Sequence, residues 1–215
     1  MKQIILFITV TLFTVTVTAQ NENRSFKKFE TQGTQAVVEV SDGYYTINLH
    51  SPYVIETTFV PRKEVILPGS HAVVVNRESY NFQVTERAKD ILLKSKDIYI
   101  TITKSPFQIS YYYKDKLITS EKRGYYKNEH EPMDMVKGNI VADSTEKIEF
   151  NLTKDEVLYG GGARALGMNR RGNRLPLFNR AHYGYETESK LMNFTVPIVL
   201  SSNKYMTHFD NAPIG

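Results

Sequence analysis

The sequence predicts an all-β fold, built as an antiparallel sandwich of short strands. Apolar and polar residues alternate from Phe29 onward, which places an apolar set on one face of each strand. Turn-forming residues interrupt these runs at short intervals, and no stretch keeps a helical period through three turns. Many short strands with regular turns favour two packed antiparallel sheets over a helical or mixed fold.

Four strands show the alternation most clearly. Their apolar sets are Tyr45, Ile47 and Leu49; Ile98, Ile100 and Ile102; Phe107, Ile109, Tyr111 and Tyr113; and Ile148, Phe150 and Leu152. Turns are predicted at Asp42-Gly43, Pro68-Gly69, Ser105-Pro106, Lys114-Asp115 and Gly138-Asn139. Because the stretch from Glu121 to Asp143 is polar and only weakly periodic, we predict a long excursion between strands there.

Composition limits the classes of function. The chain has 215 residues, enough for one sizeable core or one core and a fragment. A formal net charge of +4 with scattered lysines is too weak to indicate a nucleic-acid partner. Fourteen tyrosines without any tryptophan are compatible with a sugar-stacking surface. For Tyr111, Tyr112 and Tyr113 we favour ordinary half-buried strand residues instead.

Motifs for metal, cofactor and serine chemistry are missing from the sequence. Cysteine is absent, and the five histidines show no H-x-x-x-H or H-x-H spacing. No G-x-S-x-G elbow is present, and the triple glycine is followed by neither a Gly-Lys-Ser/Thr phosphate loop nor a βαβ pattern. The sequence therefore predicts no metal site, no cofactor and no catalytic residue.

The N-terminus is typical of a secretory signal peptide, which we place at residues 1–19. Lys2 provides the positive end, Ile4 to Val17 the apolar run, and Val17-Thr18-Ala19 the cleavage site. A membrane span needs about 20 apolar residues, and this run is shorter and interrupted by threonines. We expect an exported protein, periplasmic or extracellular, with no membrane attachment after cleavage. Residues 20–28 then form a lead-in and residues 29–215 the sandwich domain.

The segment from Tyr159 to Tyr185, here called the glycine–arginine segment, differs from the strands around it. It holds three consecutive glycines, five arginines, three asparagines, one histidine and three tyrosines. Its apolar residues, such as Leu175 and Leu177, argue against disorder, so we predict an ordered functional loop.

Several roles within this segment stay open at the level of sequence. The glycines Gly160, Gly161 and Gly162 are expected to allow a bend at a strand end. Arg170 and Arg171, with Gly172 after them, either hold the loop through carbonyls and carboxylates or contact a sugar directly. Asn173 and Asn179 are turn residues or ligand contacts. Tyr183 and Tyr185 are equally compatible with sugar stacking and with half-buried packing.

The order of motifs resembles the N-terminal domain of glycoside hydrolase family 31. The corresponding elements are Tyr159-Gly160-Gly161-Gly162, Arg170-Arg171-Gly172, Phe178-Asn179-Arg180-Ala181, and then Pro197, Ser201, Tyr205, Phe209, Asp210 and Asn211. Lys104-Ser105-Pro106-Phe107 and the preceding strands also fit, so the resemblance covers Phe29 to Gly215. The subgroup that it resembles contains bacterial α-glucosidases and 4-α-glucosyltransferases with an N-R-A-H-Y-G-Y loop.

The resemblance implies a galactose-mutarotase-like sandwich followed by a (β/α)₈ barrel that carries the chemistry. The family reaction is a retaining double displacement by two barrel carboxyl groups. Residues 175–185 would cover the barrel mouth, with Asn179, Arg180, His182 and Tyr183 binding α-glucan oligosaccharides. Many relatives carry an aspartate where this chain has Ala181, whose side chain accepts no hydrogen bond.

The sequence ends at Gly215, so the barrel and its two carboxyl groups are not in it. We therefore expect this chain alone not to hydrolyse a glycoside. Whether the sandwich lacks its last strands stays open, as do oligomeric state, linkage specificity and the choice between hydrolysis and transfer. Two other functions stay open: a stand-alone carbohydrate-binding module and a purely structural β-sandwich fragment.

Overall fold

The computed structural model describes residues 24–32, 34–65, 73, 80–129, 132–135, 138–141, 144–177, 179, 184, 187–190 and 192–210; within 128–145 the description covers the main chain only. The predicted signal peptide and the predicted Pro68-Gly69 turn lie outside these residues.

The described residues form strands and no helix. The strands are β1 (Phe26–Gln32), β2 (Gln35–Val40), β3 (Gly43–Ser51), β4 (Val54–Pro61), β5 (Gln83–Glu86), β6 (Asp90–Lys94), β7 (Ile98–Lys104), β8 (Phe107–Tyr113), β9 (Lys116–Glu129), β10 (Pro132–Met135), β11 (Gly138–Val141), β12 (Ser144–Phe150), β13 (Leu158–Gly160), β14 (Ile198–Ser201) and β15 (Met206–His208). In the part of the chain that is described, no helix is long and apolar enough to cross a membrane.

Two sheets form the sandwich. One has the order β1-β2-β3-β4 and the other the order β12-β9-β8-β7-β6-β5. A hairpin of β10 and β11 and a small sheet of order β13-β14-β15 complete the described strands. Each pairing among these strands is antiparallel, which confirms the predicted all-β antiparallel architecture.

The inner faces of the two sheets share one apolar core. Its buried side chains are Ala36, Val38, Val40, Tyr45 and Ile47 from the first sheet, and Ile91, Leu93, Ile100, Ile102, Phe107 and Ile109 from the second. The alternation predicted for β3, β7 and β8 therefore faces the core as expected. In β12 the result differs, because this strand lies at the sheet edge and leaves Ile148 largely exposed.

The predicted excursion from Glu121 to Asp143 is wrong. Strand β9 continues to Glu129 and pairs with β12, while β10 and β11 form a hairpin further on. The predicted turn at Gly138-Asn139 is instead the start of β11. The polar pattern was misleading because Glu121 points into the sandwich and is fully buried.

Glu121 joins the two sheets through hydroxyl groups. The Tyr111 hydroxyl donates to Glu121 Oε1 at 2.8 Å, and the Tyr45 hydroxyl donates to Oε2 at 3.3 Å. Arg24 Nη1 in turn donates to the Tyr45 hydroxyl at 2.5 Å. Since Tyr45 lies in β3 and Tyr111 in β8, this carboxyl group receives hydrogen bonds from both sheets.

Arg24 supplies the positive charge beside this group. Its Nη2 lies 2.7 Å from Asp42 Oδ2 and donates to the Tyr125 carbonyl at 2.8 Å. Burial raises the pKa of the Glu121 carboxyl to about 7, although the hydrogen bond from Tyr111 and the charge of Arg24 act in the opposite direction. The protonated carboxyl is therefore favoured in the folded chain relative to the unfolded chain.

Replacing Glu121 with Gln tests this burial. Between pH 4.5 and about 7 the folded chain retains a proton that the unfolded chain has released. The free energy of unfolding therefore falls as the pH rises through this window, by about 3 kcal/mol from this group. In Glu121→Gln that fall is expected to disappear, as measured by urea denaturation at several pH values.

The exposed substitution Glu39→Gln is the control for loss of one carboxyl group. If Glu121→Gln and Glu39→Gln show the same pH dependence of stability, the raised pKa of Glu121 is incorrect.

Candidate functional site

The glycine–arginine segment begins as strand β13 ends, and its glycines reverse the chain there. Gly160, Gly161 and Gly162 have φ values of 106°, 76° and 87°. A Cβ at Gly160 would lie 2.3 Å from the Ile198 carbonyl oxygen, and one at Gly162 would lie 2.5 Å from the Phe194 carbonyl oxygen. The bend thus needs both a left-handed backbone and close main-chain approach, which only glycine allows without strain.

Main-chain hydrogen bonds hold this bend against the strand that returns to it. The Gly161 amide donates to the Ile198 carbonyl at 3.0 Å, and the Ala163 amide donates to the Phe194 carbonyl at 2.8 Å. Strand β14 then pairs with β13. The start of the segment is in this way fixed to β14 and to the chain that leads into it.

The described side-chain hydrogen bonds of Arg170 and Arg171 are all donated to main-chain carbonyl oxygens. Arg170 donates to the Gly160 carbonyl at 3.2 Å and to the Gly167 carbonyl at 2.9 Å. Arg171 Nη1 donates to the carbonyls of Thr153, Lys154 and Glu156 at 2.7 to 2.9 Å. Both side chains brace the base of the segment. Gly172 follows them with a φ of 78°, and no atom lies within 4 Å of the position that its Cβ would occupy.

Arg164 is a buried anchor that the sequence did not distinguish from the other arginines. It is 8% exposed, and it donates to the carbonyls of Ala163 at 2.7 Å, Phe194 at 3.3 Å and Pro176 at 2.7 Å. It therefore ties together the glycine bend, the approach to β14 and the start of the 175–185 loop. Burial lowers the pKa of the Arg164 guanidinium, and the charge of Arg170 acts in the same direction.

Glu156 is a second buried group that the sequence pattern did not reveal. Its Oε1 accepts hydrogen bonds from the hydroxyls of Ser201 at 2.5 Å and Tyr205 at 2.6 Å. Its Oε2 accepts one from the Thr153 amide at 2.8 Å. Burial raises the pKa of the Glu156 carboxyl, but these donors together outweigh burial and the pKa is lowered overall. Glu156 fixes the β14–β15 turn to the chain that precedes β13.

The 175–185 loop is described only in part. Asn179 Oδ1 accepts hydrogen bonds from the Thr195 amide at 2.8 Å and the Thr195 hydroxyl at 2.7 Å. The other predicted substrate-binding residues, Arg180, His182 and Tyr183, lie outside the described residues, as does Ala181. The described part of the loop is thus attached at two places: Pro176 to Arg164, and Asn179 to Thr195 in the chain that leads into β14.

One face of the small sheet is apolar and exposed. Leu200 in β14 pairs with Met206 in β15, and their exposed fractions are 46% and 60%. Phe194 and Met168, from the neighbouring loops, are also exposed. The adjacent pair Leu200 and Met206 forms an exposed apolar patch, and such patches are typical of a surface that contacts another domain or ligand.

The described residues contain no group of three or more His, Cys, Asp or Glu side chains able to hold a metal ion. The buried carboxyl groups of Glu121 and Glu156 both accept hydrogen bonds from hydroxyl groups within the domain.

The sequence model of the glycosyl hydrolase 31 N-terminal galactose mutarotase-like domain matches residues 44–213. The chain belongs to this domain family. The family and the galactose-mutarotase-like sandwich predicted from the motifs are thereby confirmed. No curated protein sequence matches the chain significantly.

Solved family 31 enzymes contain the same fold at low sequence identity. The dextranase of Flavobacterium johnsoniae complexed with glucose is 20% identical with a TM-score of 0.74, over 88% of this domain and 22% of that chain. The α-xylosidase of Xanthomonas citri is 19% identical with a TM-score of 0.66, over 86% and 19%. The cycloalternan-forming enzyme of Listeria monocytogenes, in complex with a pentasaccharide substrate, is 18% identical with a TM-score of 0.62, over 86% and 17%. The domain therefore spans about one fifth of the length of these enzymes.

The glycine bend predicts a specific difference between two alanine substitutions. Gly162→Ala adds a Cβ within 2.5 Å of main-chain atoms, whereas Gly172→Ala places its Cβ in open space. Both substitutions put alanine in the left-handed region, which costs about 1 kcal/mol or somewhat more. We expect Gly162→Ala to lose about 3 kcal/mol or more in urea denaturation, because the main chain must also move. Equal losses in the two variants would contradict the close approach.

Glu156→Gln is expected to lower the free energy of unfolding by about 2–4 kcal/mol near neutral pH, since a buried ionised acceptor is lost. The lowered pKa means that the ionised carboxyl stabilises the fold above the unfolded value of 4.5, and that this stabilisation disappears as the pH falls through the folded pKa. The difference between wild type and variant should therefore shrink in acid. The control Glu149→Gln, at a partly exposed carboxyl group, should change stability by about 1 kcal/mol or less. A pH-independent difference for Glu156→Gln would argue against an ionised Glu156.

Proposed function

We propose that this domain is the N-terminal part of an exported, retaining enzyme that acts on α-glucans. In that enzyme it supplies the 175–185 loop to the substrate pocket. The proposal is supported by the glycans in the related structures, which are glucose and isomaltotriose in the dextranase and a pentasaccharide in the cycloalternan-forming enzyme. Export is proposed from the signal peptide at residues 1–19, with Gln20 as the first mature residue.

The observation that carries the proposal is the anchoring of the loop base. Arg164 holds the Pro176 carbonyl, and Thr195 donates to Asn179, so two points of the loop are tied to the chain just after β13 and just before β14. Functional loops on β-rich folds are effective when a rigid scaffold fixes their position. Arg180, His182 and Tyr183, which follow Asn179 in the sequence, would then bind the sugar.

The exposed apolar face of the small sheet would contact the catalytic domain. Leu200 and Met206 are adjacent across β14 and β15, so covering them would remove contiguous apolar area from water. The same sheet contains Gly160, and the Gly161 amide donates to the Ile198 carbonyl in it. Docking through this sheet would bring the glycine–arginine segment, which begins in β13, to the catalytic domain.

The two carboxyl groups of the retaining reaction would come from the catalytic domain. The contribution of this domain would be to hold the substrate, through hydrogen bonds from Asn179, Arg180 and His182 and through the ring of Tyr183. The proposal first requires that the complete coding sequence contain a barrel with two catalytic acids. A coding sequence without such a barrel would contradict the proposed function.

In the full-length enzyme, Arg180→Ala and His182→Ala are expected to raise KM for maltotriose or isomaltotriose about 5- to 50-fold, since each loses about one to two polar contacts with the sugar. The control Arg62→Ala removes an exposed arginine from the sandwich and should leave KM unchanged. Proton NMR of the first product formed should show retention of the anomeric configuration. Unchanged KM in both loop variants would exclude the loop from the pocket.

A further inference from the structure

We infer that the outer face of the first sheet carries a separate groove that binds a neutral oligosaccharide. This site goes beyond the proposed function, because it lies on the face of β1–β4 that points away from the core, and not in the glycine–arginine segment.

Strand register shapes the groove. One row of outward side chains across β1, β2 and β3 consists of Lys28, Glu39 and Tyr44. The next consists of Glu30, Val37 and Thr46, and the third of Gln32, Gln35 and Asn48. In the middle row the side chains of Val37 and Thr46 are short, whereas the side chains in the rows on either side are long.

The result is a trough that runs across the strands. Val37 and Thr46 form its floor, Thr58 extends the middle row into β4, and Glu30 closes the end at the edge strand β1. The two outer rows are four residues apart along each strand, which is roughly 13 Å. The groove is open to solvent, and its volume of about 420 Å³ lies within the approximate range of 300–1,000 Å³ found for small-molecule sites.

The lining groups match the chemistry of sugar hydroxyls. Gln32 and Gln35 offer both donors and acceptors on planar amides, while Glu30 and Glu39 offer paired acceptor oxygens. Tyr44 adds an aromatic ring to one wall. Lys28 forms an ion pair with Glu30, so Glu39 leaves the lining with one net negative charge and no excess of cationic groups. A phosphate or nucleic-acid ligand would need an excess of cationic groups.

The wall on the glutamine side is held by a chain of hydrogen bonds. Gln35 Nε2 donates to Asn48 Oδ1 at 3.0 Å, and Asn48 Nδ2 donates to Glu56 Oε2 at 2.9 Å. His50 Nε2 lies 3.0 Å from the same Glu56 oxygen. These contacts fix the polar groups before a ligand arrives, which reduces the entropy cost of binding.

The test is a titration of the ¹⁵N-labelled full chain with maltotriose, isomaltotriose and cellotriose at millimolar concentrations. We expect saturable shifts of the Val37 and Thr46 amides with at least one of the three sugars. Gln35→Ala and Glu39→Ala should weaken that binding about fivefold or more, which corresponds to one lost hydrogen bond. Gln83→Ala is the matched control, because it removes an exposed glutamine from a strand of the other sheet.

The variant Asn179→Ala distinguishes sugar binding in the groove from sugar binding by the 175–185 loop. Loss of binding in the groove variants alone supports the groove. Loss only in Asn179→Ala, or equal binding in all variants, would overturn it, as would the absence of saturable shifts with all three sugars. Absence of binding in the groove would leave the proposed role of the loop in the full-length enzyme intact, because that role is tested by KM, and loss only in Asn179→Ala would support the loop. Circular dichroism of each variant verifies that it is folded.

Discussion

Glu121 lies fully buried between the two sheets, and its carboxyl oxygens are satisfied by donors from both of them. Burying such a group is costly unless its partners are in place, so the arrangement selects one alignment of β3, β8 and β9. Strand β9 in turn pairs with β12, which leads into the chain before β13. The position of the candidate site therefore depends on a polar contact deep in the sandwich.

The small sheet is also held by a buried glutamate that accepts hydrogen bonds from hydroxyl groups. Glu156 receives the hydroxyls of Ser201 and Tyr205, while Arg171 caps the carbonyls of the turn that ends at Glu156. Its apolar residues Leu200 and Met206 are exposed, while Leu158, Ile198 and Val199 are partly buried. Polar anchors at Glu156 thus help to fix a sheet that keeps an exposed apolar pair.

Sequence patterns predicted the parts of the fold that follow simple periodicity. Strands β3, β7 and β8 were recognisable because one of their faces is uniformly apolar. The continuation of β9 was not, because a buried glutamate looks like a solvent-exposed residue until its hydroxyl partners are known, and Tyr45 is distant in the sequence. The same limit applied to Glu156. Motif order identified the glycine–arginine segment, but it did not show that Arg164 is the buried anchor.

The arginines at the base of the loop hold the main chain and not particular side chains. Arg164, Arg170 and Arg171 make their described hydrogen bonds to main-chain carbonyls, which every residue type possesses. The base of the loop therefore requires the arginines and the glycine bend. It does not require particular side chains at the residues whose carbonyls accept these hydrogen bonds. Under the proposed function, Ala181 lacks the side-chain acceptor of the aspartate that the resemblance places there, while the described hydrogen bonds at the base belong to Arg164 and Asn179. Substitutions beyond Asn179 would therefore test contacts with a ligand without removing these hydrogen bonds.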